Sequence, residues 1–407
     1  MLTRNLCKTS LALTALIVAG FATSQPAAAA SLYTITDLGS LNPTATGFDA
    51  YSAAYGINNS GQVVGDSIIP SSEVFRSHAF RTAPNSAINP ATDDLGTLGG
   101  NSSTGYAIND FGQVVGESNK TVYGSDNHAF LWNSTSGMQD LGTLGGDFSS
   151  ASEINNSGQV VGRANTDEDA FHAFLYNGHG SLQDLGTLGG NSSSANGINN
   201  AGQVVGNAET ASGNNHAFLY KGRNPLQDLG TLGGQESYSN SINDSGQVVG
   251  TAQTGATYEP SPKSSDYLVS HAFLYNGSSP LQDLGTLGGT NSTAYDINNV
   301  GQVVGTADTL EQSSHAFIYS DGKMTDLNSL ILNSSEWLLS EARGINNAGQ
   351  IVGTGTLQSD TLNYPVHAFI LTPYEHSSEP TPVPEPASAL GVLAFGALGA
   401  ASRLWRK

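Results

Sequence analysis

An all-β ring of seven four-stranded sheets is what this sequence predicts, and three observations carry the prediction. One short unit, Ile-Asn-x-x-Gly-Gln-(Val/Ile)-Val-Gly followed by His-Ala-Phe and then Asp-Leu, recurs seven times; its Ile-Asn starts at Ile57, Ile108, Ile154, Ile198, Ile242, Ile297 and Ile345. Successive copies lie 51, 46, 44, 44, 55 and 48 residues apart. That is the length of one four-stranded propeller blade; a β-solenoid coil is roughly half as long and an immunoglobulin-like domain about twice. The last copy stops after its third strand, His367 to Thr372, while Tyr33-Thr34-Ile35-Thr36-Asp37-Leu38-Gly39 precedes the first copy and matches the missing fourth strand. The chain is therefore expected to form a seven-bladed β-propeller in which the N-terminal strand completes the last blade, leaving no open sheet edge.

Each element of the unit has a physical reading. Ser-x-Ala-x-x-Ile-Asn, as in Ser193 to Asn199, is the first strand, and Asn-x-x-Gly after it is a tight turn made of residues that tolerate positive φ. Gln-Val-Val-Gly is the second strand, its β-branched pair suited to a buried pleated surface. His-Ala-Phe-Leu-Tyr is the third, placing Ala and Leu on one face and His, Phe and Tyr on the other. Leu-Gln-Asp-Leu-Gly-Thr-Leu is the fourth, closed by Gly-Gly. No helical periodicity appears between residues 31 and 373. Through His-Ala-Phe, Asp-Leu-Gly-Thr-Leu-Gly-Gly and Ile-Asn-x-x-Gly-Gln-Val-Val-Gly, nearly all of residues 32 to 372 resembles the HAF repeat family of extracellular bacterial proteins. The resemblance implies repeat architecture and location but brings no reaction. The pattern departs at Asp326-Leu327-Asn328-Ser329-Leu330, where Gly-Gly is lost, and at Leu38 to Pro43, so the seam between last and first blades is expected to be irregular.

The two ends read as export signals. Residues 1–30 carry Arg4 and Lys8, an apolar run from Leu11 to Ala22 and the small residues Ala27 to Ala30, the pattern of a secretory signal peptide. The single cysteine, Cys7, falls inside it, so the mature chain is expected to hold neither disulfides nor thiolate metal sites. A propeller over 31–373 is followed by a Pro-rich linker, 374–386, and by 387–407, an apolar stretch with a basic tail, read as a transmembrane helix. Val383-Pro384-Glu385-Pro386 before that helix and basic cluster resembles the PEP-CTERM sorting signal. The resemblance implies an exosortase-type processing enzyme as a partner and export to the cell surface or exopolysaccharide matrix, with transient anchoring by the helix.

Charge narrows the ligand. The full chain has 14 Lys and Arg against 34 Asp and Glu, a net charge of −20. Five of the basic residues lie in the two terminal signals, which makes the propeller more acidic still. A phosphate backbone is a poor partner for such a chain, and no nucleic acid is expected.

Candidate sites are few. His78, His128, His172, His216, His271, His315 and His367 each begin a His-Ala-Phe, and seven aspartates (Asp37, Asp94, Asp140, Asp184, Asp228, Asp283, Asp326) occupy the Asp-Leu position. Imidazole and carboxylate suit acid–base or metal chemistry, but a catalytic site needs one convergent constellation, whereas these groups are spread round a ring; they read as structural pairs. Asn/Asp-rich turns such as Asn109-Asp110 and Asn243-Asp244 raise Ca²⁺, although the spaced Asp-x-Asp-x-Asp pattern is absent and no cofactor is otherwise called for. Length varies most between the second and third strands, where the copies have 12, 11, 9, 9, 20, 9 and 13 residues from the Gly of Val-Val-Gly to His. Insertions in repeat proteins gather on the binding face, so the aromatic residues of these loops, Phe75, Tyr123, Tyr258 and Tyr267, are the candidate ligand-binding residues. Together these features describe a non-catalytic binding or structural module for a glycan of the exopolysaccharide or a surface protein. The alternative is a secreted propeller enzyme, a polysaccharide lyase or hydrolase, whose required sign is unique carboxylates, His or Tyr converging at the central channel.

Overall fold

In the computed structural model the described residues are 32–374, without 45–46, 71–75, 123–125, 224, 259–266, 279, 333–335 and 359–365. The leader at 1–30, the sorting motif Val383 to Pro386, the C-terminal apolar stretch, and Phe75 and Tyr123 lie outside them. Among the described residues no helix is long and apolar enough to cross a membrane.

The chain forms seven antiparallel sheets, one per copy, whose innermost strands are Ser52–Ile57, Ser103–Ile108, Gly145–Ile154, Gly189–Ile198, Ser237–Ile242, Gly288–Ile297 and Trp337–Ile345, blades 1 to 7. Blade 4 is typical: Gly189–Ile198, Val204–Thr210, Asn215–Tyr220 and Gln227–Asp228 pair in order from the channel outward. The His-Ala-Phe strand explains the packing. Ala173 and Leu175 enter a core shared with Phe218 of the next blade, while Phe174 points the other way into the core shared with the preceding blade. A strand with both faces buried between neighbouring sheets needs apolar residues at odd and even positions alike, and the Phe of all seven copies is fully buried.

The serine of Ser-x-Ala joins blade to blade. Ser193 Oγ accepts the Ala173 N–H at 2.8 Å and donates to the Gly186 carbonyl at 2.6 Å; Ser103, Ser149, Ser237 and Ser292 repeat both bonds. At the opposite end of the inner strands the Asn of Ile-Asn closes a circle. Its amide Nδ2 donates to the carbonyl of the corresponding Asn in the next blade, from Asn58 to Asn109 and on to Asn346, which returns to Asn58 at 3.0 Å. These asparagines are buried, so a polar side chain there persists because its hydrogen bonds are filled.

Tyr33–Asp37 completes blade 7 as the reading anticipates. It pairs with His367–Pro373 in the register Asp37↔Phe369, the same register as Asp228↔Phe218 in blade 4. The Leu38 N–H bonds the Ala368 carbonyl at 2.9 Å, just as Leu229 bonds Ala217. Two details differ from four uniform strands. In blade 1 the fourth strand shrinks to a single bridge, Phe80↔Asp94, because Thr82 to Asp93, which contains Pro84 and Pro90, arrives as a loop instead of a hairpin. The irregularity expected between the last and first blades from Asp326 to Leu330 falls instead between blades 6 and 7, where a 3₁₀ turn at Leu327–Ser329, capped by the Asp326 side chain on Asn328 N–H, replaces Gly-Gly and turns Leu327 into the core.

Candidate functional site in the central channel

The repeated histidines and aspartates are paired in every blade. Each His Nδ1 lies 2.7–3.1 Å from its Asp carboxylate, from His78–Asp94 round to His367–Asp37 across the seam. The aspartate also accepts the N–H of the Gly two residues on, for instance Gly186 on Asp184 at 2.7 Å. At Asp37, burial alone would raise the carboxyl, but the bonds from His367 and Gly39 outweigh it and hold it below its usual value. Each pair fixes its outer strand, and the pairs do not come together.

The second Asn or Asp of each turn forms another ring. The side-chain oxygens of Asn59, Asp110, Asn156, Asn200, Asp244, Asn299 and Asn347 each accept the backbone N–H at the equivalent position of the preceding blade at 2.9–3.0 Å. The carboxylates that raised calcium are occupied here: Asp110 Oδ2 accepts the amides of Asn59 and Asn156, and Asp244 Oδ2 those of Asn200 and Asn299. Among the described residues no group of three or more His, Cys, Asp or Glu could hold a metal ion. These turns line a space of about 180 Å³ at this mouth.

The groups that do converge lie deeper, in a cavity of about 600 Å³, within the size range of ligand sites. One backbone device builds it. Every inner strand carries a β-bulge at the same place, where the register skips one residue between Ala and Ile of the repeat. A bulge re-aims a side chain, and all seven skipped residues, Tyr55, Tyr106, Ser152, Asn196, Asn240, Tyr295 and Arg343, line the cavity. The facing glycine of Val-Val-Gly makes room: a Cβ on Gly206 would sit 1.9 Å from the Ser194 carbonyl oxygen. The residue after the bulge adds Glu153 and Asp296, and the second strands of blades 2 and 3 add Glu117 and Arg163.

These residues are organised as well as gathered. Tyr55 and Tyr106 rings stand 5.7 Å apart. The Arg343 guanidinium stacks 4.3 Å over the Tyr295 ring and pairs with Glu341 at 2.6 Å. Burial works against the Arg343 charge, but Tyr295 and Glu341 together raise its proton affinity above the usual value. Burial, then the neighbouring acids Asp66 and Glu117, raise the hydroxyls of Tyr55 and Tyr106. Asp296 is raised by burial despite accepting N–H bonds from Ile297 and from Ile345 of the next blade, and a hydroxyl bond from Ser241 of the preceding one.

Glu153 lies in the channel wall three blades from Asp296, and burial pushes its carboxyl up to about 8, with the charge of Asp296 adding to the effect against the Ile154 N–H. Between the ordinary glutamate value and about 8 the folded chain then keeps a proton that the unfolded chain releases, and stability falls as pH rises through that window. Glu153→Gln is expected to melt like the parent at pH 5 and to be more stable by on the order of 1–3 kcal/mol at pH 9, channel water reducing the full linkage value. An equal gap at both pH values would show that Glu153 titrates normally.

Of the four candidate aromatic residues, two fall within the described strands. Tyr258 and Tyr267 pair across the extended hairpin Val248–Tyr258 and Tyr267–Tyr275, with Tyr258 exposed. That hairpin projects on the side of the blades where the inner strands begin, the side the large cavity faces. The channel residues were missed because a repeat reading fastens on constant positions. The signal was in the two variable positions of Ser-x-Ala-x-x-Ile-Asn, where copies that agree elsewhere carry Tyr-Gly, Ser-Glu, Asn-Ser, Tyr-Asp or Arg-Gly.

No curated protein matches the sequence. Solved structures match weakly. Puromycin hydrolase (S511A mutant complexed with PGG) is 13% identical with a TM-score of 0.45, covering 75% of this chain and 50% of its own. The acylaminoacyl peptidase of Pyrococcus horikoshii is 11% identical with a TM-score of 0.46, covering 80% and 52%. The BP39L lectin of Burkholderia pseudomallei is 9% identical with a TM-score of 0.39, covering 83% and 98%. The chain spans about half the length of the first two, and likenesses this distant say nothing about activity. Residues 382–407 match the PEP-CTERM protein-sorting motif, the substrate signal of exosortase-type processing, which supports an exported, surface-associated protein. A family model matches over 88–188 and 280–383, stretches that take in the strands of blades 2 and 3 and, apart from Tyr33–Asp37, of blades 6 and 7. With half its length matched, the chain belongs to the family described as Protein of unknown function (DUF3466), a name that leaves the channel's ligand to be argued from the channel itself.

Proposed function

We propose that this chain is a non-catalytic binding module, sorted to the cell surface or its exopolysaccharide matrix, that takes a glycan into the wide side of its central channel. One observation carries the reading: seven copies that agree in core, turn and clasp residues vary at the bulged position, which is Tyr in three, Asn in two, Ser in one and Arg in one, and all seven bulged residues meet in one cavity. Its wall combines tyrosine rings with hydroxyl and amide groups, and apolar faces beside a few placed polar groups are how sugar-sized ligands are held. The hairpin of Val248–Tyr258 and Tyr267–Tyr275, which carries Tyr258, stands on the same side and extends the surface offered.

Binding of the purified protein to a glycan array tests this. Tyr106→Ala with Tyr295→Ala is expected to weaken the strongest glycan at least about tenfold, the scale of roughly 1.4 kcal/mol, without shifting the melt by more than a few degrees. Unchanged affinity in that variant would remove the channel as the site. A second reading, a secreted enzyme acting on polysaccharide, rests on the protonated Glu153 in a wall of tyrosines, since a carboxyl titrating near 8 can act as a general acid at neutral pH. Steady release of new chain ends from a bound polysaccharide, lost in Glu153→Gln, would favour that reading over simple binding.

A further inference from the structure

Resting on the channel as a glycan site, we infer that its blade 3 wall is an anion subsite, with Arg163 receiving the carboxylate or sulfate of an acidic sugar. In the copy-by-copy alignment Arg163 follows Val-Val-Gly, where the other blades carry Asp66, Glu117, Asn207, Thr251, Thr306 and Thr354. It is thus the one cation at a position otherwise acidic or neutral. The guanidinium lies 5.6 Å from the Phe148 ring centre and 5.2 Å from that of Phe171. These two rings meet edge to face at 5.5 Å, so they hold the side chain in place. Only this copy carries both rings: the Phe148 position is Tyr51, Ser102, Ser192, Glu236, Asn291 and Leu339 elsewhere, and the Phe171 position is Ser77, Asn127, Asn215, Ser270, Ser314 and Val366.

Arg163 is exposed and lines the cavity, and its guanidinium makes no hydrogen bond or ion pair to any described residue. The contrast with Arg343 across the same cavity is direct, since that guanidinium is spent on Glu341. In a chain with 34 acidic residues against 14 basic ones, a guanidinium stacked on two rings without a carboxylate is a group waiting for one from outside. Stacking leaves the planar N–H fork free, and that fork matches a carboxylate or sulfate bidentately. The acid at the equivalent position of the preceding blade does not compete: Glu117 takes the Tyr106 hydroxyl and the Asn127 amide. Tyr106, close enough to Arg163 to feel its charge, offers the ring on which the same sugar would lie. The subsite is therefore a cation beside an aromatic face, which selects an anionic pyranose over a neutral one.

The test compares oligogalacturonate, its carboxyl-reduced neutral counterpart and a sulfated oligosaccharide of equal length on the full purified chain. The wild type is expected to bind an anionic form at least about tenfold more tightly than the neutral one, a preference that fades as salt is raised. Whichever anionic form leads identifies the acid group. Arg163→Gln is expected to erase that preference, and Arg163→Lys to keep part of it, because the charge stays while the stacked fork is lost. Equal affinity for neutral and anionic forms in the wild type, or a preference that survives in Arg163→Gln, overturns the subsite alone. Absence of binding to every glycan, on this panel and on the array, overturns the channel reading beneath it.

Discussion

A chain lacking residues 33–38 is expected to lose its single cooperative melt and to aggregate at temperatures where the full chain is folded. Tyr33 and Leu38 are essentially inaccessible, and Tyr33 belongs to the core of blade 7 together with Phe369, Leu371 and Leu339. Removing two such side chains costs roughly 2–5 kcal/mol each, and the five paired positions of the ladder go with them. The total is comparable to the whole stability of an ordinary domain, about 5–15 kcal/mol. The deletion also exposes the edge of His367–Pro373, a template for intermolecular pairing. A synthetic peptide spanning 32–41, added in trans, should restore part of the melting temperature by occupying that edge. Calorimetry of the truncated chain is the measurement; a melt within a few degrees of the full chain would mean that the seven sheets hold together without the closing strand.

The second large effect is expected at the bulge. Gly206→Ala should destabilise the fold by about 3 kcal/mol or more, since its Cβ would meet the Ser194 carbonyl oxygen at 1.9 Å and the Ala195 Cα at 2.8 Å. Both obstacles are backbone, so no rotamer change relieves the clash; the inner strand must move away from Val204–Thr210 or lose its bulge. Either response displaces Asn196 from the channel wall, so the same variant is expected to weaken glycan binding as well as lower the melt. Gly222 is the control: it has φ of +83 with nothing near an added Cβ, and Gly222→Ala should cost only about 1–2 kcal/mol, the strain of a left-handed residue. Chemical denaturation of the two variants side by side checks the contrast, and equal losses would mean that the bulge glycine serves backbone conformation and not space.

These two expectations show how unevenly the molecule can be read from its residues. Blade number, the clasp by Tyr33–Asp37 and the split of His-Ala-Phe between two faces follow from spacing and alternation, because local pattern sets which side of a strand is buried and the repeat sets how many sheets stack. The weak fourth strand of blade 1 was less legible, since Asp94-Leu95-Gly96 keeps the repeat and only the prolines upstream hint that a loop replaces the hairpin. The site was the least legible part. Attention to loop aromatics such as Tyr258 followed from length variation, which is visible in a one-dimensional comparison. Tyr55, Tyr106, Tyr295 and Arg343 each lie two residues before the Ile of Ile-Asn, a spacing that never varies, and their role depends on a bulge that leaves no gap in the alignment.

The sequence by itself determined the fold and its closure, because seven similar units can bury their apolar faces only by stacking on one another and a strand borrowed from the other end removes the last free edge. What only the tertiary structure decided is where the copies' differences meet. Residues about 45 positions apart along the chain become neighbours round one axis, and the bulge, fixed by strand sterics at Val-Val-Gly, turns one side chain per blade toward that axis. Proximity round a ring is a property of the closed arrangement, so no single copy contains it.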